Sequence, residues 1–310
     1  MFGLVLYFGS GFIKGIISKF FVNAVPAKNS VLEETLETDF IVIRQEEVVS
    51  APCSGSLETA CREGERIAKG TVVGYLVTVE GTSLEKKNRV PVASPRAGIL
   101  SFQTDGYENI CSPKIWPHLN ISKLALEQGL EKKDNGNPKT YSEAKEKTVE
   151  AGQNHFRIID NLEPNHLYME NKELLPEVLS KGTVDLRLKN IDNLLIRGTV
   201  VETSRDSDIH RVLIEVPSLA ELQNTRIVEG SIILKKYHGF VVDRQVLVTR
   251  DGSTGLYLLK KGQVAWQEVR VIGTGGAKAA VVGLETGDWI VTAPRLVKEG
   301  QRIFFFNKTN

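Results

Sequence analysis

Short apolar segments separated by glycines fill residues 48–75. Four glycines interrupt this stretch, namely Gly55, Gly64, Gly70 and Gly74. The intervals are too short for helices and are typical of β-strands joined by tight turns. This part of the chain therefore predicts a β domain.

A second series of alternating apolar segments follows the middle of the chain. The predicted strands lie at 155–161, 183–188, 194–203, 211–216, 246–248, 255–259, 269–272 and 287–291. A short helix is expected at 175–181, because Pro176 suits its first turn and Gly182 ends it. Gly198, inside one strand, predicts a β-bulge. The pattern indicates a small β-barrel followed by a further β domain.

The first 25 residues are rich in Phe, Leu, Ile, Val and Gly. A membrane-spanning helix needs about 20 apolar residues, although Lys14 and Lys19 disfavour insertion unless they reach the headgroups. The apolar positions surround the helix instead of forming one stripe, which favours lipid over a globular core. We expect a membrane anchor; a buried amphipathic helix is the alternative.

Two segments of the β domain repeat one another. Residues 49–57 (VSAPCSGSL) are echoed by residues 92–100 (VASPRAGIL). Each has an extended entry, a proline, two further residues, a glycine and a strand. Proline biases the preceding residue to extended geometry, and glycine accepts turn angles that other residues resist. Two such units can close face to face into a small sandwich.

These paired A-P-x-x-G and S-P-x-x-G turns resemble the two halves of a biotinyl/lipoyl-type barrel-sandwich hybrid domain. The later G-L-x-x-G-D run at 283–288 and E-G-Q at 299–301 are similar to the final domain of membrane fusion proteins, the HlyD-like periplasmic efflux adaptors. In that family an α-helical hairpin separates the two halves. Residues 76–91 join them here and are too few for a coiled coil, so the resemblance is to a short form of the family.

The resemblance implies a mainly β fold with five parts. They are an N-terminal membrane anchor at 1–27, a barrel-sandwich hybrid domain at 28–115, a polar linker at 116–152, a β-barrel at 153–240 and a membrane-proximal β domain at 241–310.

Charge and cysteine content narrow the function. The 39 Lys and Arg residues nearly balance the 38 Asp and Glu residues, so no basic surface for nucleic acid is expected. Cys53, Cys61 and Cys111 have no zinc-type spacing. A Cys53–Cys61 disulfide and three unpaired thiols remain alternatives.

Candidate catalytic groups have simpler structural explanations. Five histidines are scattered: His118, His155, His166, His210 and His238. The glycines at 273–276 are followed by a strand-like segment instead of a helix, which favours a hairpin turn over a phosphate loop. Glu285 and Asp288 fit a solvated turn. We therefore expect no catalytic, cofactor-binding or metal-binding residue.

Lys86 and Lys87 lie where biotinyl and lipoyl carriers present their modified lysine. The sequence there is Glu85-Lys86-Lys87-Asn88, without the M-K-M or D-K-A pattern of those carriers. A carrier function is therefore the least favoured alternative.

The resemblance implies a non-enzymatic adaptor, anchored by a single pass in the cell membrane, with most of the chain extracytoplasmic. Its partners would be a membrane transporter or envelope complex and further copies of the chain. A cell-wall or division-associated structural protein with the same fold is the alternative. Contacts are expected at the Gly252–Gly255 turn, the Gly275 turn and the tip at 85–89.

Overall fold

The computed structural model describes residues 23–79, 87–113, 115–116, 147–172, 179, 182–206 and 208–303. Within this part of the chain the regular elements are β-strands and short 3-10 helices. The prediction of a mainly β fold is confirmed.

The strands of the first half are, in chain order, β1 (Ala24–Pro26), β2 (Asn29–Ile43), β3 (Glu46–Ser50), β4 (Gly55–Thr59), β5 (Arg66–Ile67), β6 (Val72–Val79), β7 (Lys87–Ala93), β8 (Gly98–Ser101), β9 (Lys147–Val149) and β10 (Asn154–Ile159). Those of the second half are β11 (Asn165–Asn171), β12 (Gly182–Leu188), β13 (Leu194–Asp206), β14 (Ile209–Val216), β15 (Ile227–Asp243), β16 (Val248–Arg250), β17 (Ser253–Lys260), β18 (Gln263–Glu268), β19 (Arg270–Gly275), β20 (Lys278–Val282) and β21 (Trp289–Val291). The 3-10 helices include Ala220–Leu222, Arg244–Val246 and Pro294–Leu296.

The chain divides into two compact units, Glu37–Ile232 and a second unit made of Met1–Leu36 with Ile233–Asn310. The first unit contains a sandwich of two four-stranded sheets, ordered β3-β10-β8-β5 and β7-β6-β4-β9. Apolar side chains from both sheets meet between them, including Leu76, Leu100 and Phe156, each no more than 1% exposed. Successive side chains of a strand point to opposite faces of its sheet, so one face of each sheet supplies these side chains.

The two halves of the sandwich are related by an internal two-fold repeat. Strands β3 to β6 correspond to β7 to β10, since β4 pairs with β6 as β8 pairs with β10. The turns match as well. The amide of Gly152 donates to Ala51 O at 2.8 Å, and the amide of Gly70 donates to Ser94 O at 2.8 Å. The repeat predicted from residues 49–57 and 92–100 is thus present in the fold.

The repeated glycines are required by close strand packing. A Cβ on Gly55 would lie 2.8 Å from Val77 O, and one on Gly98 would collide with Ile159 O. Val77 and Ile159 occupy equivalent places on β6 and β10. A side chain at either glycine would therefore push the paired strands apart.

A ring of strands forms the remainder of the first unit, in the order β12-β13-β14-β11-β2, with β15 pairing with β12. Gly230, on β15, allows close approach because a Cβ there would lie 2.7 Å from Arg187 O and 2.9 Å from Phe40 Cε2. The apolar run at the end of β2, Phe40 to Ile43, is at most 1% exposed. Such continuous apolar runs are typical of strands buried on both faces.

The second unit contains the sheet β1-β21-β17-β16, with β18 pairing with β17. The end of β15 pairs with β20, which pairs in turn with β19. Its core includes Phe240, Leu256, Leu258 and Ile290. The glycines at 273–276 end β19 and lead through a two-residue turn into β20, as expected for a hairpin.

Several predicted boundaries differ from the structure. The end of the expected anchor is β1, a strand paired with β21; residues 1–22 lie outside the described residues. None of the helices in the described part of the chain has the length and apolarity that crossing a bilayer requires.

The predicted linker and barrel boundary also need correction. β9, inside the expected linker 116–152, pairs with β4, and β10, expected to open the barrel, pairs with β3 and β8. Both strands complete the second half of the sandwich. The bulge expected at Gly198 lies instead between Val200 and Glu202. Apart from Leu179, the helix expected at 175–181 falls outside the described residues.

Candidate functional site

The predicted partner-contact loops are hairpin tips of the second unit. Asp251 and Gly252 have φ values of 50° and 83° between the paired residues Arg250 and Ser253. Two consecutive positive φ angles define a type I′ turn. Gly276, with φ of 55°, follows Gly275 in the β19–β20 turn. Both tips are exposed, on separate hairpins.

The third predicted contact, at 85–89, is described only in part. Residues 80–86, including Lys86, lie outside the described residues. The backbone of Lys87 begins β7 and pairs with Val79. Arg89 pairs with Glu58 and lies over the Tyr75 ring, 4.6 Å from its centroid. The carrier alternative for Lys86 and Lys87 stays untested.

The other groups weighed from the sequence occupy structural positions. Asp288 Oδ2 accepts a hydrogen bond from the amide of Glu285 at 2.9 Å, which closes the turn before β21. His155 is buried on β10 and His166 is half-buried on β11. Cys53, Cys61 and Cys111 are free thiols, with Cys111 fully buried. No group of three metal-ligating side chains occurs among the described residues.

The main polar feature of the first unit is a buried charge cluster that sequence analysis did not identify. It lies where the barrel strand β2 passes into the sandwich strand β3. We call the charge cluster the set of three arginines and three carboxylates formed by Arg44, Glu46, Asp105, Glu108, Arg157 and Arg226.

Glu46 stands at the centre of the charge cluster. Its carboxylate accepts hydrogen bonds from Arg44 Nε, from Arg226 Nη2 at 3.0 Å and from Arg157 Nη1 at 3.4 Å. The Glu46 side chain is 0% exposed, as expected for a carboxylate taken from water only with full compensation.

Asp105 and Glu108 lie in the loop after β8. Their carboxylates balance the remaining positive charges of the arginines. Asp105 Oδ2 accepts from Arg226 Nε at 2.8 Å and from Arg157 Nη1 at 3.5 Å. Glu108 Oε1 lies 3.7 Å from Arg157 Nη1. Three positive charges therefore face three negative charges, and Asp105, whose side chain is 27% exposed, lies at the edge of the cluster.

The arginines also donate to backbone carbonyls of the barrel. Arg44 Nη1 donates to Leu222 O and, at 3.1 Å, to Thr225 O, while Arg157 Nη2 donates to Gln223 O at 3.2 Å. Arg157 belongs to the sandwich strand β10. Its contact with the 222–225 segment thus ties the sandwich directly to the barrel.

Three members of the charge cluster, Arg44, Asp105 and Arg226, have pKa values that keep them ionised at neutral pH. Burial lowers the pKa of Arg44 to about 10, aided by Arg226 and Arg157 and opposed by Glu46. Burial alone would lower the pKa of Arg226, but the charge of Glu46 and the hydrogen bond to Asp105 raise it overall. Burial would raise the pKa of Asp105, yet Arg226 brings it below its usual value. These three groups offer no proton near neutral pH, and the hydrogen bonds of the cluster make it a structural joint.

The loop that carries Asp105 continues onto the barrel. Cys111 and Trp116 pack with Ile41, Ile43 and Tyr168. Trp116 Nε1 donates to Glu202 Oε2 at 2.8 Å, and its ring meets Tyr168 edge-on at 6.0 Å between centroids. Residues 105–116 therefore form a second connection between sandwich and barrel, beside the β2–β3 passage.

A signal for the charge cluster exists in the sequence. Arg157 interrupts the apolar run of β10, and Arg44 directly follows the apolar run of β2. A charged residue inside an apolar strand indicates a buried ion pair. The partners could not be assigned, because they come from segments far apart in the chain.

Comparison with known proteins identifies the type of domain to which the sandwich belongs. Residues 46–160 match the family model described as the RND-related barrel-sandwich hybrid domain. This part of the chain is therefore a barrel-sandwich hybrid domain of the RND-related type, and for residues 46–160 the resemblance found in the sequence is confirmed. The family's helical hairpin is absent between β6 and β7, because seven residues, 80–86, are too few for two helices and a turn.

Solved structures show more distant similarity. ZneB from Cupriavidus metallidurans is 11% identical, over 88% of this chain and 93% of its own, with a TM-score of 0.30. MacA from Actinobacillus actinomycetemcomitans is 12% identical over 87% and 99%, with a TM-score of 0.37. A putative efflux transporter from Bacteroides eggerthii is 13% identical over 93% and 100%, with a TM-score of 0.30. No curated protein matches the chain.

Proposed function

We propose that this chain is a non-enzymatic adaptor of the membrane fusion type that couples to a membrane transporter or another envelope complex. The observation that carries the proposal is the RND-related barrel-sandwich hybrid domain at residues 46–160. In this proposal the segment before β1 holds the chain in the cell membrane by a single pass, and the β domains lie outside the cytoplasm.

The charge cluster supports this architectural role. An adaptor must hold its domains at a fixed angle, and Glu46 with three arginines joins sandwich to barrel through buried hydrogen bonds. Removing any member would leave a buried charge without compensation, which makes alternative arrangements of the joint costly. The joint is thereby suited to passing a movement of one domain on to the other. It offers no group poised for catalysis.

The connection between β6 and β7 indicates a short reach. In the wider family a helical hairpin extends from this point, whereas here the two strands pair directly from Val72 to Val79. We infer that the tip meets a partner close to the sandwich. Coupling then takes place at one membrane.

Detergent co-purification combined with crosslinking tests the proposal. A photo-crosslinking residue at Asn88, exposed beside the tip, should capture a transporter or envelope subunit that also co-purifies with the tagged chain. The control carries the same crosslinker at Lys69, exposed in the turn after β5. Repeated capture of cell-wall or division proteins, with no transporter, would favour the structural-protein alternative.

A further inference from the structure

The second unit contains a groove with mixed cationic and aromatic walls. Its volume is about 760 Å³, and its walls include Lys261, Gln263, Trp289 and Arg302. Among the described residues that line it, two are cations and none is an acid. The groove is thus a concave surface suited to an anionic group.

The cations of the groove stand on a rigid frame. Lys261 and Gly262 form a two-residue hairpin loop, with φ values of 49° and 78°, between the paired ends of β17 and β18. Arg302 forms a β-bridge with Gln263, at the start of β18. The backbone therefore fixes the positions from which both cations extend, and the groove exists before any ligand arrives.

The charge of the whole unit favours an anionic partner. Residues 23–36 and 233–303 contain twelve Lys and Arg residues against eight Asp and Glu residues. Since the full chain is close to neutral at +1, positive charge is concentrated in this unit. Such a surplus attracts anionic surfaces over distances of about a Debye length, roughly 8 Å at physiological salt.

The path of the chain identifies the anionic partner as a membrane. β1 pairs with β21 so that Pro26 lies opposite Trp289, a wall of the groove. The proposed anchor precedes β1, so the groove lies next to the strand by which the chain would leave the bilayer. Tryptophan favours the interface between lipid and water, and Lys and Arg there bind lipid phosphates.

We propose that this groove binds the phosphate headgroups of anionic phospholipids and orients the second unit on the membrane surface. The inference rests on the proposed function, in which the segment before β1 is the membrane anchor. Lys261 and Arg302 supply the phosphate contacts, and Trp289 packs against the glycerol region. Removal of both cations should lower the affinity for an anionic surface by about tenfold or more.

Hydrogen–deuterium exchange of the full chain in nanodiscs tests this proposal. Exchange in residues 259–263 and 300–303 should be slower in discs of equal parts phosphatidylcholine and phosphatidylglycerol than in discs of phosphatidylcholine alone. The variant Lys261→Gln/Arg302→Gln should lose this difference. The control Arg270→Gln/Lys278→Gln removes the same charge at exposed positions outside the groove and should keep it.

The possible results test the groove proposal and the anchor assignment independently of each other. Equal exchange in both kinds of disc would overturn the proposal, as would equal protection by millimolar inorganic phosphate without lipid. If the chain fails to enter neutral discs, the anchor assignment fails. Vesicle flotation then tests the groove alone: binding to anionic vesicles only, lost in the Lys261→Gln/Arg302→Gln variant, supports it, and no binding refutes it.

Discussion

Glu46 and Arg226 form a buried ion pair in which Arg226 Nη2 lies 3.0 Å from Oε2 and 3.3 Å from Oε1 of Glu46. Glu46 begins the first strand of the sandwich, whereas Arg226 directly precedes a strand of the barrel. The pair therefore spans the joint between two domains and is separated by 180 positions in the chain. The more this ion pair stabilises the fold, the more rigid the joint between the two domains should be.

Replacing Glu46 should strongly destabilise the first unit. Glu46→Gln removes the carboxylate that compensates three buried arginines, and breaking a buried ion pair costs roughly 3 to 5 kcal/mol. Urea unfolding followed by circular dichroism gives the change in the free energy of unfolding. The control is Glu58→Gln, whose partner Arg89 is 56% exposed, where a loss of about 1 kcal/mol or less is expected. Equal effects of the two variants would show that the charge cluster is not a strong joint.

The Asp105–Arg226 contact predicts a specific dependence of stability on pH. Although burial opposes it, Arg226 lowers the pKa of Asp105 below the ordinary value of 3.8. As pH falls, the unfolded chain therefore takes up this proton before the folded chain does. The stability that Asp105 contributes is complete above the unfolded pKa and is lost as pH falls through the lower folded pKa.

The difference in unfolding free energy between the wild type and Asp105→Asn measures this effect. The difference in unfolding free energy should be constant near neutral pH and should become smaller below about pH 4. Asp251→Asn, at an exposed hairpin tip, serves as the control for a general change of charge. A difference that persists unchanged into acid would contradict the assigned role of Arg226.

The repeated glycines of the sandwich can be tested as a matched pair. Gly98→Ala would force a Cβ against Ile159 O and to 2.7 Å from Ile158 Cγ2; in Gly55→Ala the nearest atom is Val77 O at 2.8 Å. Overpacking of this kind costs about 1 to 3 kcal/mol, and we expect Gly98→Ala to be the more harmful. Thermal unfolding measures both, with Ala97→Ser at an exposed neighbouring position as the control. Unchanged melting temperatures for both alanine variants would contradict the close strand packing.

The repeat also explains which strands of the sandwich can be predicted from the sequence. Residues 49–57 and 92–100 lie near one another in the chain and share turn chemistry, so the first three-quarters of the sandwich could be predicted. The last quarter was not assigned to the sandwich: β9 falls in the predicted linker, and β10, predicted as a strand at 155–161, is assigned to the barrel. In the first half residues 60–65 join β4 to β5, whereas in the second half residues 102–146 separate β8 from β9. This polar insertion hid the match between Gly70-Thr71 and Gly152-Gln153, which only their hydrogen bonds to Ser94 and Ala51 reveal.

The charge cluster could not be predicted for a different reason. Arg44 and Arg157 give a local signal, but their partners Asp105 and Arg226 are far away in the chain and each has the character of an ordinary surface residue. Their pairing depends on the crossing of β2 into β3 and on the path of the loop after β8. The strands of the barrel, by contrast, follow from local alternation, and β12 to β14 lie within a few residues of their predicted ranges.

Cysteine labelling tests the packing of the loop at 105–116 and the state of the thiols. Burial raises the pKa of the Cys111 thiol to about 11, and its residue is 0% exposed. Burial and the nearby charge of Glu65 also raise the pKa of Cys61, whose side chain is only partly covered. Since the thiolate is the reactive form, iodoacetamide at about pH 8 should label the partly exposed Cys53 and Cys61 in the folded protein and Cys111 only after unfolding.

Mass spectrometry of the labelled peptides measures the three rates, and labelling in urea provides the control in which all three thiols react. The Trp116→Phe variant loses the indole hydrogen bond to Glu202 and should let Cys111 react faster than in the wild type, because the loop then opens more readily. Wild-type Cys111 reacting as fast as Cys53 would show that the loop does not cover the barrel. If Cys53 and Cys61 react only after reduction, the two thiols form a disulfide, which would correct their assignment as free thiols.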